Sequence, residues 1–275
     1  MSPTIGVFDS GFGGLTVLKA LLEIIPDARY LYFGDTARLP YGSKSVETVA
    51  RYACEAAKFL EQRGTELMVV ACNTATALAL PQIRAAASVQ VVGVIEPGSQ
   101  AAAIASLSKK AVVVGTDATV SSHAYQKALQ AVGIEAREKA CPLLVPLVEE
   151  GWVEHPVTEQ VAKIYLSEAF SDSFKSADIL LLGCTHYPLL KPLLRRIVPE
   201  NVALVDSAES TALAVMKTLA DRKDHGHPDK PDRPACPTNH QLNFFVTDSV
   251  EKFRRLGALF LSQPIQHITH VDLKE

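Results

Sequence analysis

Short apolar runs recur along the chain and alternate with longer segments that have helical spacing. The runs are too short for helices and apolar throughout, which is typical of parallel strands covered on both faces. They occupy residues 5–8, 30–33, 67–70, 91–95, 111–114, 179–182 and 202–205. This alternation predicts an α/β fold with mainly parallel sheets flanked by helices.

Other segments of the chain carry local signals for helices and turns. Residues 46–63 and 123–131 have helical spacing, and Gly64 and Gly133 are placed to end those helices. Residues 243–246 are predicted to be a strand, followed by a helix over 252–261 that Asp248 or Ser249 caps. Residues 221–240, rich in proline, charge and histidine, are predicted to form a loop.

An internal repeat divides the chain into two related parts. Residues 66–72 and 178–184 each read as an acid, four apolar residues, a small residue and a cysteine. Residues 5–10 and 93–97 are echoed by residues 113–118 and 203–207. Buried strands resemble one another, but the matched cysteines favour a true repeat. We therefore expect two pseudo-symmetric lobes with the active site in the cleft between them. The first comprises residues 1–97 plus 209–275 and carries Cys72, and the second comprises residues 98–208 and carries Cys184.

Length and composition limit the classes of function. A chain of 275 residues is long enough for two domains, and a net charge of −3 provides no basic field for nucleic acid. No secretory signal and no apolar run of about 18 residues are visible, so we expect a cytoplasmic protein that does not enter the membrane. Its five cysteines include no C-x-x-C pair, which argues for reduced thiols and against a redox protein.

The residues that follow the apolar runs carry the chemistry. In open parallel sheets, ligands bind beyond the carboxyl ends of the strands. Cys72 and Cys184 stand at equivalent positions of the two repeats, and each is expected to precede a helix start that favours a thiolate. The other residues at predicted strand ends are Asp9, Ser10, Asp35, Asn73, Thr74, Glu96, Thr116, Thr185, His186 and Asp206.

Motifs for cofactors are absent from these strand ends. The glycine-rich segment 10–16 lacks the dinucleotide pattern, and there is no Walker lysine. Its glycines fit a tight turn, anion-binding backbone, or both. No strand end carries a lysine for pyridoxal phosphate, and no second pair of ligands accompanies Cys184 and His186. The three histidines and Cys236 of the predicted loop also lack zinc spacing. We therefore expect no cofactor and no metal.

Five motifs together resemble those of glutamate racemase, of the aspartate/glutamate racemase superfamily. They lie in residues 9–14, 34–42, 71–76, 141–151 and 183–188. The resemblance implies that Cys72 and Cys184 are catalytic thiols, assisted by Asp9, His186 and either Glu149 or its neighbour Glu150. It also implies substrate contacts from Asp9, Ser10, Tyr41, Gly42, Asn73, Thr74, Thr116, Thr185 and His186.

The implied activity is cofactor-independent interconversion of L- and D-glutamate, supplying D-glutamate for peptidoglycan, commonly in a homodimer. Two thiols suit this reaction because one removes the α-proton from one face while the other returns a proton to the opposite face. Two alternatives to this activity remain open. One is a racemase of another amino acid or hydantoin in the same superfamily, and the other is a non-catalytic two-lobed protein that binds small anions.

Overall fold

The computed structural model describes residues 2–224 and 241–273. The strands of this part are β1 (Thr4–Asp9), β2 (Arg29–Gly34), β3 (Leu67–Val70), β4 (Gln90–Gly93), β5 (Lys110–Gly115), β6 (Glu135–Ala140), β7 (Ile179–Gly183), β8 (Ala203–Asp206), β9 (Leu242–Val246) and β10 (Ile268–His270). The helices are α1 (Leu15–Ile24), α2 (Val46–Glu61), α3 (Asn73–Ala86), α4 (Ile95–Ala105), α5 (Asp117–Ser121), α6 (Ala124–Ala131), α7 (Leu144–Glu149), α8 (Pro156–Ala169), α9 (Lys191–Ile197), α10 (Ala208–Asp224) and α11 (Val250–Leu261).

The described strands form two parallel sheets. The larger has six strands in the order β10-β9-β2-β1-β3-β4, and the smaller has four in the order β6-β5-β7-β8. At the centre of each sheet, β1 lies beside β3 and β5 lies beside β7, in parallel register. The α/β prediction with two parallel sheets is confirmed. The carboxyl ends of these central strands bring the two cysteine-bearing segments to equivalent places.

Each apolar run used for the prediction contains or overlaps a strand, but two further strands were not predicted. β6 reads Glu-Ala-Arg-Glu-Lys-Ala and is polar because it forms an exposed edge of the smaller sheet. β10 has only three residues and adds to β9 at the edge of the larger sheet. The predicted run 91–95 also ends early, since Ile95 begins α4.

The predicted helix ends agree with the backbone. Gly64 and Gly133 follow α2 and α6 with φ of 85° and 77°, where glycine has no steric penalty. The Ser249 side chain caps α11 by accepting a hydrogen bond from the backbone N–H of Lys252 at 3.2 Å. The loop predicted over 221–240 is wrong at its start, because residues 221–224 continue α10. Residues 225–240, with Cys236 and the histidines, lie outside the described residues.

The central strands are almost completely buried, as expected for sheets covered on both faces. One apolar cluster includes side chains from both sheets, for example Val69 of β3 and Leu182 of β7. The two sheet-based halves are therefore packed together through apolar contacts. In residues 2–224 and 241–273, no helix is both long and apolar enough to cross a membrane.

Candidate active site

A cavity of about 390 Å³ opens where loops that follow strands of the larger sheet meet loops of the smaller one. Residues from both halves line it, including Cys72 and Cys184. The other predicted site residues along its wall are Ser10, Tyr41, Gly42, Asn73, Thr74, Thr116, Glu149, Thr185 and His186. Asp9 is completely buried behind this wall.

Cys72 occupies the N-cap position of α3, as its sequence position predicts. Its sulfur accepts a hydrogen bond from the backbone N–H of Ala75 at 3.4 Å and donates one to Ser10 Oγ at 3.5 Å. Asn73 and Thr74 form the first helical positions, whose backbone N–H groups have no partner within the helix. The end of α3 therefore points both a thiol and free amide donors towards the cavity.

Asp9 is the acidic neighbour of Cys72. Its Oδ2 accepts a hydrogen bond from the backbone N–H of Gly11 at 2.8 Å, and its Oδ1 has no hydrogen-bond partner among the described residues. Burial raises the pKa of Asp9, although the charge of His186 and nearby backbone N–H groups oppose this. Burial and the Asp9 charge together raise the pKa of Cys72 to about 12. Both effects favour the thiol form of Cys72 over the thiolate.

Cys184 lies at the end of β7 in a different local structure. Thr185 and His186 form a turn, and the chain then enters a short 3₁₀ helix, Tyr187–Leu190, before α9. The helix start expected after Cys184 therefore comes at Tyr187, as a 3₁₀ helix rather than an α-helix; prolines 188 and 192 accompany the two helix starts. In place of a helix end, the Cys184 sulfur has His186, whose Nδ1 lies 3.9 Å away.

His186 connects Cys184 to a carboxylate. Its Nε2 lies 3.3 Å from Glu149 Oε1 at the end of α7. Burial disfavours a charged imidazole, but the hydrogen bonds to Cys184 and Glu149 outweigh it and raise the pKa of His186 to about 10. Glu149 lines the cavity, whereas Glu150 is exposed and does not. Of the two residues between which the sequence left the choice open, Glu149 is the one that contacts His186 and the cavity.

Lys252, a partly exposed residue of α11, contacts Glu149, and sequence reasoning missed it. Its Nζ lies 3.6 Å from Glu149 Oε2. Lys252 lies on α11, about a hundred residues after Glu149 in the sequence, and Arg254 and Arg255 are close to it on the same helix. In sequence this cluster resembles an ordinary solvated helix face, so no local signal separates Lys252 from its neighbours.

Threonine hydroxyls bring the two halves together at the other side of the cavity. Thr74 Oγ1, after β3, lies 3.0 Å from Thr116 Oγ1, after β5. Thr119 Oγ1 lies within 3.1 Å of both. Asn73 Oδ1 accepts a hydrogen bond from Tyr125 OH at 2.5 Å, while its Nδ2 has no partner among the described residues. Asn73 thus keeps a donor available, and Tyr125 and Thr119 act behind the wall.

Tyr41 lines the cavity, but its hydroxyl is engaged elsewhere. It donates to Asp35 Oδ2 at 2.5 Å, and Asp35 also accepts from Arg38 at 2.8 Å and from Thr247 at 2.9 Å. The Tyr41 phenol therefore anchors its loop rather than facing the cavity. Next to it, a Cβ on Gly42 would lie 2.8 Å from the Thr116 Cβ, so only glycine allows this approach.

Two predicted strand-end residues lie away from the cavity. Glu96 pairs with Arg84 at 3.8 Å on the surface. Asp206 forms an ion pair with Lys191 and accepts a hydrogen bond from the backbone N–H of Ala208 at 2.7 Å. Across the described ranges, no group of three histidine, cysteine or acidic side chains is placed to hold a metal ion.

Fold and site together define a class of protein. It has two parallel α/β halves, and each contributes one unpaired, buried cysteine to a shared cavity. Each sulfur has a different polar neighbour, Ser10 for Cys72 and His186 for Cys184. Two thiols on the walls of one cavity are groups that can remove and deliver a proton there.

Comparison with known proteins gives the family. The Asp/Glu/Hydantoin racemase family model matches residues 5–215. A glutamate racemase from Koribacter versatilis is 56% identical, and the match covers 98% of both chains. The structure of glutamate racemase from Francisella tularensis in complex with D-glutamate has a TM-score of 0.86 and 36% identity, covering 99% of this chain and 98% of that one.

A glutamate racemase from Thermus thermophilus, in complex with β-chloro-D-alanine, has a TM-score of 0.83 and 43% identity over 99% of this chain and 97% of that one. The chain therefore belongs to the Asp/Glu/Hydantoin racemase family, with glutamate racemases as relatives. The resemblance seen in the five sequence motifs is confirmed.

Proposed function

We propose that this protein interconverts L- and D-glutamate by a two-thiol mechanism that needs no cofactor. The observation that carries the proposal is the meeting of one buried, unpaired cysteine from each half in one cavity. The naming of the Koribacter versatilis relative and the D-glutamate bound in the Francisella tularensis structure support glutamate as the substrate.

In the proposed reaction, one sulfur acts as base and the other as acid. A thiolate on one side removes the α-proton, and the thiol on the other side delivers its own proton to the opposite face of the carbanion. Cys72, with its pKa raised to about 12, is suited to be the thiol. Cys184 lies beside His186, whose imidazole can take and return the proton of that sulfur, so Cys184 is suited to be the base. With the opposite enantiomer the two sulfurs exchange roles.

Asp9, His186 and Glu149 assist the two thiols in this proposal. His186 handles the proton beside Cys184, and Glu149 holds the imidazole by accepting from Nε2. Asp9 acts on the Cys72 side, where its carboxylate opposes formation of a thiolate and accepts the backbone N–H of Gly11. Each sulfur thereby has its own titratable neighbour.

Substrate binding is proposed for residues on the cavity wall. The developing negative charge at the α-carbon needs donors near the carboxylate. The first backbone N–H groups of α3 and the free amide of Asn73 provide such donors. The remaining proposed contacts are Asp9 at the buried end of β1, Thr74 in the first turn of α3, and Ser10, Tyr41, Gly42, Thr116, Thr185 and His186 from segments of both halves.

The test is incubation of the purified protein with L-glutamate in D₂O, without metal, nucleotide or pyridoxal phosphate. We expect optical rotation to be lost while deuterium is incorporated at the α-carbon, and NMR measures that incorporation. A racemase for another substrate of the family would leave glutamate unchanged but racemise a different amino acid or hydantoin in a panel of enantiomers. Binding of glutamate with no α-exchange would overturn the proposal in favour of a binding protein.

Further parts of the proposal concern the biological context. We propose two lobes, 1–97 plus 209–275 and 98–208, a cytoplasmic location, and a role in supplying D-glutamate for peptidoglycan. The unpaired cysteines in the described residues support a reducing compartment.

We also propose a homodimer. Ile104 and Leu107, 87% and 93% exposed, are apolar side chains that a second subunit would cover. Light scattering during size-exclusion chromatography, which measures the molar mass of the protein in solution, tests the homodimer.

A further inference from the structure

The ammonium group of Lys252 lies beside two residues that line the cavity, one from each half of the protein. Its Nζ lies 3.6 Å from Glu149 Oε2 and 5.4 Å from the centre of the Phe12 ring. Phe12 follows β1 of the larger sheet, and Glu149 follows β6 of the smaller one. The same helix, α11, places Phe260 edge-on to the His186 ring with a centroid distance of 5.1 Å. Helix α11 therefore supports this part of the site with two side chains.

Lys252 completes the partners of the Glu149 carboxylate. Oε1 accepts from His186, and Oε2 pairs with Lys252. Because both oxygens are held, rotation of the carboxylate would break one contact or the other. Glu149 also stands at the C-terminal end of α7, where exposed carbonyl groups disfavour a negative charge. A cation beside it offsets that unfavourable position.

We propose that Lys252 is a positioning residue for the reaction, which keeps Glu149 ionised and directed at His186 and so keeps the imidazole beside Cys184. This inference rests on the racemase activity proposed above. Lys252 touches neither sulfur and acts through Glu149. Its role is therefore distinct from that of the thiols and their immediate neighbours.

The charges around this chain of contacts decide the direction of the effect. Three titratable groups face His186: Cys184 from the same turn, Asp9 from β1 and Glu149 from α7. Burial opposes ionisation of Glu149, but His186 and Lys252 outweigh it and lower its pKa. Without Lys252, the pKa of Glu149 rises. A protonated Glu149 no longer attracts the imidazolium, so the active form is lost at a higher pH than in the unaltered protein.

The experiment compares Lys252→Met with Lys252→Arg and with Arg255→Met. The last variant removes the same charge from an exposed position of the same helix and serves as the control. For Lys252→Met we expect kcat to fall about 3- to 10-fold, with KM within about twofold, because substrate contacts are unaltered. The acid limb of kcat/KM should move up by about 0.5 pH unit. Lys252→Arg should restore the profile, and Arg255→Met should match the unaltered protein.

Two further measurements separate the possible failures. In a Glu149→Gln background, Lys252→Met should cause no additional shift of the limb, since the two residues act through one contact. In a Cys72→Ser background, alkylation of Cys184 by iodoacetamide, followed by peptide mass spectrometry, should slow when Lys252 is replaced. If the unaltered protein does not racemise glutamate, the proposed function fails. If it does, and the pH profile of Lys252→Met superposes on that of the unaltered protein or of Arg255→Met, the role of Lys252 is overturned.

Discussion

Replacing Gly13 by alanine should disable the site while most of the fold stays in place. A Cβ at this position would lie 2.1 Å from Thr185 Oγ1 and 2.6 Å from His186 Nδ1, whereas ordinary contacts begin at 3.4 Å. The loop after β1 or the turn after β7 must therefore move by about 1 Å, and a displacement of that size costs about 100-fold in rate when it misplaces catalytic groups. We expect kcat to fall by about that factor in both directions. The added strain should lower the free energy of unfolding by about 1–3 kcal/mol.

The assay follows optical rotation from each enantiomer, with calorimetry of the same samples. Gly115→Ala is the matched control, because Gly115 ends the central strand β5, near the same edge of the sheets, and its Cβ would meet atoms only at 3.4 Å and beyond. The reasoning would be refuted by a Gly13→Ala protein within about threefold of the unaltered kcat. An equal loss in Gly115→Ala would also refute it, because the damage would then come from any added methyl group near the strand ends.

Three more outcomes test the proposed mechanism. Cys72→Ser and Cys184→Ser should each lower racemisation by several orders of magnitude while circular dichroism remains unchanged, because an alcohol is too weak an acid to replace a thiol; near-normal turnover in either would contradict the two-thiol mechanism. Asp9→Asn should lower the pKa of Cys72, because the Asp9 charge is one cause of that raised pKa. In a Cys184→Ser background, alkylation of Cys72 should therefore reach half its maximal rate at a lower pH. An unchanged midpoint would count against this coupling. Dialysis against a chelator should leave activity intact, and a loss that added metal restores would argue for a metal-dependent reaction.

The sequence predicted the fold well where burial determines residue type. Strands such as β1 and β7 are covered on both faces, so their runs are apolar throughout and easily recognised. β6 could not be found in this way, because an edge strand with half-exposed residues carries charges that resemble a loop or helix face. The start of α4 was misjudged for the opposite reason, since Val94 and Ile95 are buried and apolar although they leave the strand.

Prediction of the site followed the same division. Residues directly after strands, such as Cys72 and Cys184, were found because the topology of a parallel sheet places them together. Tyr125, Thr119 and Lys252 were not found, because each reaches the site through a tertiary contact with no local pattern. The substrate contact that the motif implied for Tyr41 stays a prediction: Tyr41 lines the cavity, while its hydroxyl donates to the buried carboxylate of Asp35.

The two thiols come from repeated segments, yet their surroundings differ in chemistry. Cys72 caps a helix beside the buried carboxylate of Asp9, whereas Cys184 lies in a turn beside His186, which Glu149 supports. The thiol of one half therefore lies near a buried carboxylate, and the thiol of the other lies near an imidazole. L- and D-glutamate have equal free energies, so kcat/KM must be the same in both directions whatever the surroundings. The asymmetry can appear only in the separate kcat and KM values for each enantiomer, and in which enantiomer acquires solvent deuterium before it is inverted.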